Sequence, residues 1–377
     1  MVALASSSRR AAPERAIGFW LLGCCALIFL MVIVGGITRL TESGLSITEW
    51  QPVEGVLPPL GEAQWQDAFA RYQAIPQYQA IHADMTLEQF KHIYFWEYIH
   101  RLLGRVIGAA FALPFLWFLI RGQVSRRLVA PLAGLFVLGG LQGALGWWMV
   151  ESGLESRIEV SQYRLAAHLA MAVVIYLAML WVALGLLAPS FERTLSPPGR
   201  GQGEGGRRAM PPHPALRADL SPQGRGAHGL RIFATLILLL VFTTLVAGAF
   251  VAGTRAGYLD NTFPLMEGRL VPPDYAHLAP LWRNWFENLT SVQFDHRVLA
   301  ETTWFAIAAL WLAGLRASLT PPQRWALHAL FFFACLQVAL GITTLLTVVW
   351  LPVAAAHQAG ALCLLTAALV SVHALKG

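Results

Sequence analysis

Eight apolar runs, each about twenty residues long, leave this chain few ways to fold. They lie near residues 17–37, 93–120, 128–150, 162–188, 231–252, 294–314, 325–348 and 353–374. A helix of that length crosses the hydrocarbon core of a bilayer and satisfies its own backbone hydrogen bonds there. The expected fold is therefore all-α, a polytopic membrane protein with eight transmembrane helices. With 56% hydrophobic and only 13% charged residues, the composition excludes an ordinary soluble domain. The first run is expected to be a membrane span rather than a cleaved signal. It continues through Gly35 and Gly36 into "ITRL" without a small-residue cleavage pattern.

Lys and Arg in the loops set the orientation. Arg9, Arg10, Arg15, the "RGQVSRR" turn, the basic 190–231 segment, Arg316, Arg324 and Lys376 alternate with acidic stretches carrying Glu42, Glu49, Glu54, Glu62, Asp67, Glu151, Glu155 and Glu159. This alternation predicts a multi-pass protein with both termini in the cytoplasm. The net charge of +6 reflects the bias and requires no nucleic-acid partner. Cys24, Cys25, Cys335 and Cys363 all fall inside apolar runs, as small packing residues do. They offer no disulfide framework in the outer loops.

The organisation follows from the loops and from an internal repeat. Residues 1–16 read as a cytoplasmic tail and 17–190 as a first four-helix bundle. Residues 191–230 read as a disordered cytoplasmic linker, rich in Gly, Pro and Arg and without apolar periodicity. Residues 231–377 form a second four-helix bundle. Outer loop 38–92 is different from the linker. Trp65, Phe69 and Tyr72 in "EAQWQDAFARYQ" have helical spacing, and "TLEQ" at 86–89 is a capping box, so this loop should fold over the outer face. The halves echo each other: "EYIHR" matches "QFDHR", "LQGALG" matches "LQVALG", "LAAHLA" matches "AAAHQA", and "GGITRL" loosely matches "AGTRAG". Four spans per repeat predict two parallel bundles related by a pseudo-twofold along the membrane normal.

Each half carries two membrane-embedded histidines, His100 and His168, then His296 and His357. All four sit early in even-numbered spans, roughly 5 to 15 Å below the outer surface at helical rise. Two imidazoles at one depth inside a four-helix bundle suit the axial positions of a haem iron. Small residues such as Gly104, Gly108, Ala166 and Ala167 would leave a flat porphyrin room. A lone membrane histidine can be a packing residue, and zinc is a competing ligand-set reading. Four histidines at matched depth in a repeated context point instead to two planar sites.

Arg101 and Arg297 follow a histidine directly, and Arg39 and Arg255 end spans one and five. Each can pair with a carboxylate, reach a haem propionate or snorkel to the headgroups. Glu97 stands one turn before His100, where the second half has Gln293. It is either an acid–base group beside one iron or a structural ion pair with Arg101.

The run "GGITRLTESGLSITEWQPVEGVLPPL", the "EYIHR" motif and the two histidines per half resemble the haem A synthase family, most closely its proteobacterial and mitochondrial branch. The resemblance covers the chain apart from 193–229. It implies an oxidoreductase of the bacterial inner membrane that oxidises a ring methyl of haem O to a formyl group by successive hydroxylations, making haem A for cytochrome oxidase. It implies Glu97, His100 and His168 at the substrate haem, and His296 and His357 on a resident haem b. It also implies haem O synthase and oxidase assembly factors as partners, and leaves a homo-oligomer open. The outer-loop cysteine pair of another branch is missing here. The alternative is a non-catalytic di-haem b electron carrier or haem-transfer protein. Glu97 against Gln293 favours the enzyme, as would an opening between helices wide enough for a farnesyl tail.

Overall fold

The computed structural model describes residues 2–51, 54–154, 157–195 and 222–376. Among these, eight helices are long and apolar enough to cross a membrane. They are α1 (Val2–Leu40), α2 (Leu87–Ile120), α3 (Arg126–Leu154), α4 (Gln162–Leu195), α5 (Pro222–Thr254), α6 (Leu289–Arg316), α7 (Pro321–Leu346) and α8 (Leu351–Ala374). The expected all-α, multi-pass architecture is present, and the described residues contain no strand beyond one isolated bridge between Met266 and Arg269. Helices α1, α4 and α5 reach further than the apolar runs require. The segments expected as a tail over 1–16 and a linker over 191–230 are therefore helical at 2–16, 191–195 and 222–230. Residues 196–221 of the expected linker lie outside the described residues.

Helix ends follow local chemistry. The capping box read at 86–89 opens α2: Gln89 N donates to Thr86 Oγ1 at 3.4 Å, and Thr86 N donates to Gln89 Oε1 at 2.8 Å. Thr320 and Gln323 do the same for α7, where Pro321 fits the first turn because its missing N–H would have no intrahelical partner.

The helices pack as two rings. In the first, α1, α2, α3 and α4 each touch the next and α4 returns to α1; α5, α6, α7 and α8 close in the same order. The rings meet where α1 lies on α8 and α4 on α5. One buried apolar core, with Leu21, Ile237, Leu310, Leu330 and Leu365 in it, runs through both.

The loops after α1 and α5 lie at one end of the molecule, the loop face, which also carries the starts of α2, α4, α6 and α8. The 38–92 segment folds as its spacing suggested. Helix Glu62–Gln73 buries Phe69 and Tyr72 against Phe90, the ring centroids standing 5.1 and 5.3 Å away. Trp65 packs edge-on to Tyr94 at 5.0 Å. This second cluster is apolar and holds the segment on top of α2.

Candidate functional site

Each of the four histidines packs on a glycine of the helix before it. A Cβ on Gly35 would stand 2.8 Å from Cε1 of His100, and one on Gly146 would stand 2.9 Å from Cε1 of His168. In the second ring the same probe at Gly248 meets His296 at 3.1 Å, and at Gly341 it meets His357 at 2.9 Å. Any side chain at these places would push the imidazole away from its helix. His100 on α2 and His168 on α4 belong to the first ring, and His296 on α6 and His357 on α8 to the second.

The imidazoles are under-used by the protein itself. Nδ1 of His100, His296 and His357 is buried without a hydrogen-bond partner. His168 has a side-chain neighbour, Gln142 Nε2, 3.1 Å from its Nδ1, and that amide also donates to His168 O at 3.0 Å. Unsatisfied buried nitrogens are costly unless something else engages them. Among the described residues no three His, Cys, Asp or Glu side chains converge on one point, so the donor set does not suit a closed zinc site. Imidazoles held by glycine cradles fit the donor set of a haem iron, which His100 with His168 and His296 with His357 would hold.

The arginines after the histidines grip backbone. Arg101 donates through Nη1 to Glu49 O at 2.8 Å and through Nη2 to Ile47 O at 2.6 Å. Arg297 donates through Nη1 to Thr262 O and through Nη2 to Asp260 O, both at 2.8 Å. Each guanidinium thus holds two carbonyls two residues apart in the loop that follows the first helix of its ring.

Glu97 takes part in the same clamp. It is 3% exposed. Oε1 accepts from Arg101 Nη2 at 2.7 Å, while Oε2 accepts from Ser46 Oγ at 2.7 Å and Ile47 N at 2.8 Å. The ion pair anticipated between Glu97 and Arg101 is therefore present. Gln293 does the matching work with one bond, donating to Asp260 O at 2.8 Å.

Arg39 and Arg255 converge between the rings on the loop face. Arg39 Nη2 donates to Glu159 Oε2 at 2.7 Å, and Arg255 pairs with Glu159 and with Glu42, the latter at 2.5 Å. Glu42 also lies 3.2 Å from Nε2 of His82, whose Nδ1 is 2.6 Å from the Tyr72 hydroxyl. Burial and the Glu42 carboxylate push the Tyr72 phenol up, so it stays neutral. Nε of Arg39 and Nε of Arg297 are buried and without a partner.

Sequence reasoning named all four histidines but missed their cradles. The signal was available: the last glycine of "LQGALG" and of "LQVALG" recurs because both copies must admit an imidazole. Of the small residues expected to make room, Gly104 faces Met31 and Gly108 faces open space. The cluster of Glu42, Glu159 and His82 gave no local pattern at all.

Eight helices of membrane-crossing length, with a glycine packed against each of four histidines, define a multi-pass membrane protein. The chain belongs to the COX15-CtaA family, described as cytochrome oxidase assembly protein, whose model matches residues 18–369. It is 48% identical to the "Heme A synthase" of Nitrosospira multiformis, over 98% of this chain and 96% of the relative. Similar proteins of the same name in Rhodospirillum centenum and Parvibaculum lavamentivorans share 49% and 46% identity, covering 99% and 97% of this chain and 91% and 95% of theirs.

Proposed function

We propose that this chain is a haem A synthase, a membrane oxidoreductase that takes haem O and oxidises one ring methyl to a formyl group by successive hydroxylations. The observation that carries the reading is the repeated unit of two imidazoles on two glycine cradles, with Nδ1 of three of the four left unpartnered by the protein. The names of relatives at nearly half identity over nearly the whole chain support the same reaction. His100 and His168 hold the substrate haem, and His296 and His357 hold a resident haem b. When bound, the haem iron supplies the electron and oxygen chemistry.

The chain's own residues bind and orient. The four imidazoles fix each ring plane, and the glycines opposite them keep the imidazoles in register. Glu97 and Arg101 act as positioning residues: they lock residues 46–49 over the first site, within a turn of His100. Gln293 and Arg297 lock 260–262 over the second. Arg39 and Arg297 each keep one buried N–H available for a propionate, and Arg255 lies beside Arg39 on the same carboxylate.

We also propose that the two rings are related by a pseudo-twofold, supported by their identical closing order and by the crossed contacts of α1 with α8 and α4 with α5. The loop charges favour an orientation with the loop face outside the inner membrane and both termini in the cytoplasm. The deciding experiment is chromatography of haems extracted from cells that express the chain with a source of haem O. Haem A should appear only with the chain present. Haem b alone, with haem O unchanged, would instead support a di-haem carrier.

A further inference from the structure

The two rings also differ along the helices beyond the histidines. Aligning His100 on His296 sets Gly104 against Ala300, Gly108 against Trp304 and Phe115 against Trp311. Aligning "LQGALG" on "LQVALG" sets Phe136 against Phe331, Gly139 against Ala334 and Gly143 against Val338. The same ring contact recurs in both halves: Phe115 and Phe136 stand 6.4 Å apart, and Trp311 stacks on Phe331 at 4.4 Å.

Between that contact and the histidines, the halves part. In the second ring Trp304 comes within 6.2 Å of Phe331, and Ala334 is buried. In the first ring a Cβ on Gly108, Gly139 or Gly143 would meet nothing within 4 Å. Helical rise puts Gly104 and Gly108 about 6 and 12 Å along α2 from His100, and Gly143 and Gly139 about 4.5 and 10.5 Å along α3 from Gly146. Both helices therefore carry glycines over the same stretch. α2 and α3 are also the loosest neighbours in their ring, whereas α6 and α7 pack more closely.

Glycines four apart usually draw membrane helices together. Here a Cβ at Gly108, Gly139 or Gly143 would touch no other helix among the described residues, so their spacing leaves a slot. Its walls are apolar, ending at Phe111, Phe115 and Phe136. At its histidine end lie His100, whose Nδ1 edge is turned to Gly35 on α1, and Gln142, whose Oε1 is buried without a hydrogen-bond partner. An apolar slot that begins beside His100 suits a porphyrin whose long hydrocarbon tail runs away from its ring.

We propose that the slot between α2 and α3 receives the isoprenoid tail of the substrate haem, so that Gly108 and Gly143 select a tailed haem for the first site while Trp304 and Val338 restrict the second site to a tail-less one. This rests on the reading that His100 and His168 hold the substrate haem. It explains how one chain built from a repeat keeps two similar haems apart without any difference in their iron ligands.

The test uses the purified full chain with its resident haem, titrated with haem O and separately with haem b while the absorbance of the first site is followed. Gly108→Trp should weaken haem O binding on the order of tenfold to a hundredfold, the scale of overfilling a packed apolar site. Haem b binding at that site should change far less, and the resident haem spectrum reports that the variant is folded. Gly143→Val, a smaller intrusion, should move haem O affinity in the same direction. Trp304→Gly combined with Val338→Gly should let the second site accept haem O. Wild-type haem O affinity in both glycine variants would overturn the proposal, as would equal loss of haem O and haem b. A changed oligomeric mass with unchanged haem O affinity would make the slot a contact between copies and also overturn it. His168→Ala in the unaltered background tests the underlying reading separately: if haem O still binds as before, the site assignment fails whatever the slot does.

Discussion

Arg39 and Arg255, one from the end of each ring's first helix, meet on a single carboxylate, Glu159. Glu42 then joins Arg255 from the other side, and both Glu42 and Arg255 adopt left-handed backbone, with φ of 57° and 59°. That conformation costs about 1 kcal/mol or more for a residue with a side chain. It ends each helix abruptly and turns the two side chains toward each other, so the ion pairs offset the backbone cost. The halves are thus tied at the loop face by charge as well as by the apolar core.

The tie predicts a coupled response. Glu159→Ala should lower thermal stability, and its effect should not add to that of Arg255→Ala. A double-mutant cycle should give a coupling of roughly 0.5–3 kcal/mol, as for directly contacting residues. The readout is the melting temperature of the purified protein. Simple additivity would show that the carboxylate does not join the halves energetically.

The histidine pairs predict site-specific loss of haem. If His296 and His357 hold a resident haem b as proposed, His296→Ala or His357→Ala should abolish its low-spin signal, because each removes one proposed ligand. His100→Ala and His168→Ala should keep most of that signal while haem A formation stops. Reduced-minus-oxidised spectra and haem extraction read both. Equal loss of one signal in all four variants would contradict two separate sites.

The cradles predict that a single methyl matters. Gly341→Ala would put a Cβ 2.9 Å from the His357 ring, so the ring or the helix must shift. The expected cost is about 1–3 kcal/mol, typical of overpacking. It should appear as a shifted or partly high-spin haem spectrum with unchanged helix content by circular dichroism. An unaltered spectrum would remove the cradle from the argument.

Glu97 predicts a local effect. Glu97→Ala removes the acceptor for Ser46 and Ile47 and the carboxylate partner of Arg101 together; losing one partner of a buried ion pair costs up to roughly 3–5 kcal/mol. Amides of residues 46–49 should exchange with deuterium much faster than in the parent, while those of 260–262 should not change. Glu97→Gln should leave haem bound yet cut conversion by about 10²-fold if the carboxylate also serves the chemistry. Full conversion in Glu97→Gln would confine its role to holding the loop.

The segment 193–229 predicts tolerance. Its sequence lacks apolar periodicity, and loop closure entropy rises slowly with length. A short Gly/Ser replacement of 197–221 should assemble, bind haem and convert haem O at close to the parental rate. Loss of haem in that variant would show a structural role.

The chain's own sequence determined the eight helices, the repeat, the four histidines and the folded segment over α2. These are properties of periodicity and of burial in a bilayer, where apolar length and backbone hydrogen bonding admit one solution. The repeat also located both histidine pairs, because copied motifs occupy copied places. Tertiary structure alone decided what lies opposite each of them. Gly35 and His100 are far apart in the chain, and a glycine carries no local mark of whether it packs a helix, cradles an imidazole or leaves a space. Glu159, Glu42 and His82 meet Arg39 and Arg255 only because the rings place their loops at one end. That Glu97 bonds Ser46 and Ile47 as well as Arg101 depended on the orientation of residues 46–49, which fold across α2 from a distant loop. Side-chain partners across such distances follow from packing, and packing is fixed by the whole set of contacts rather than by any one segment.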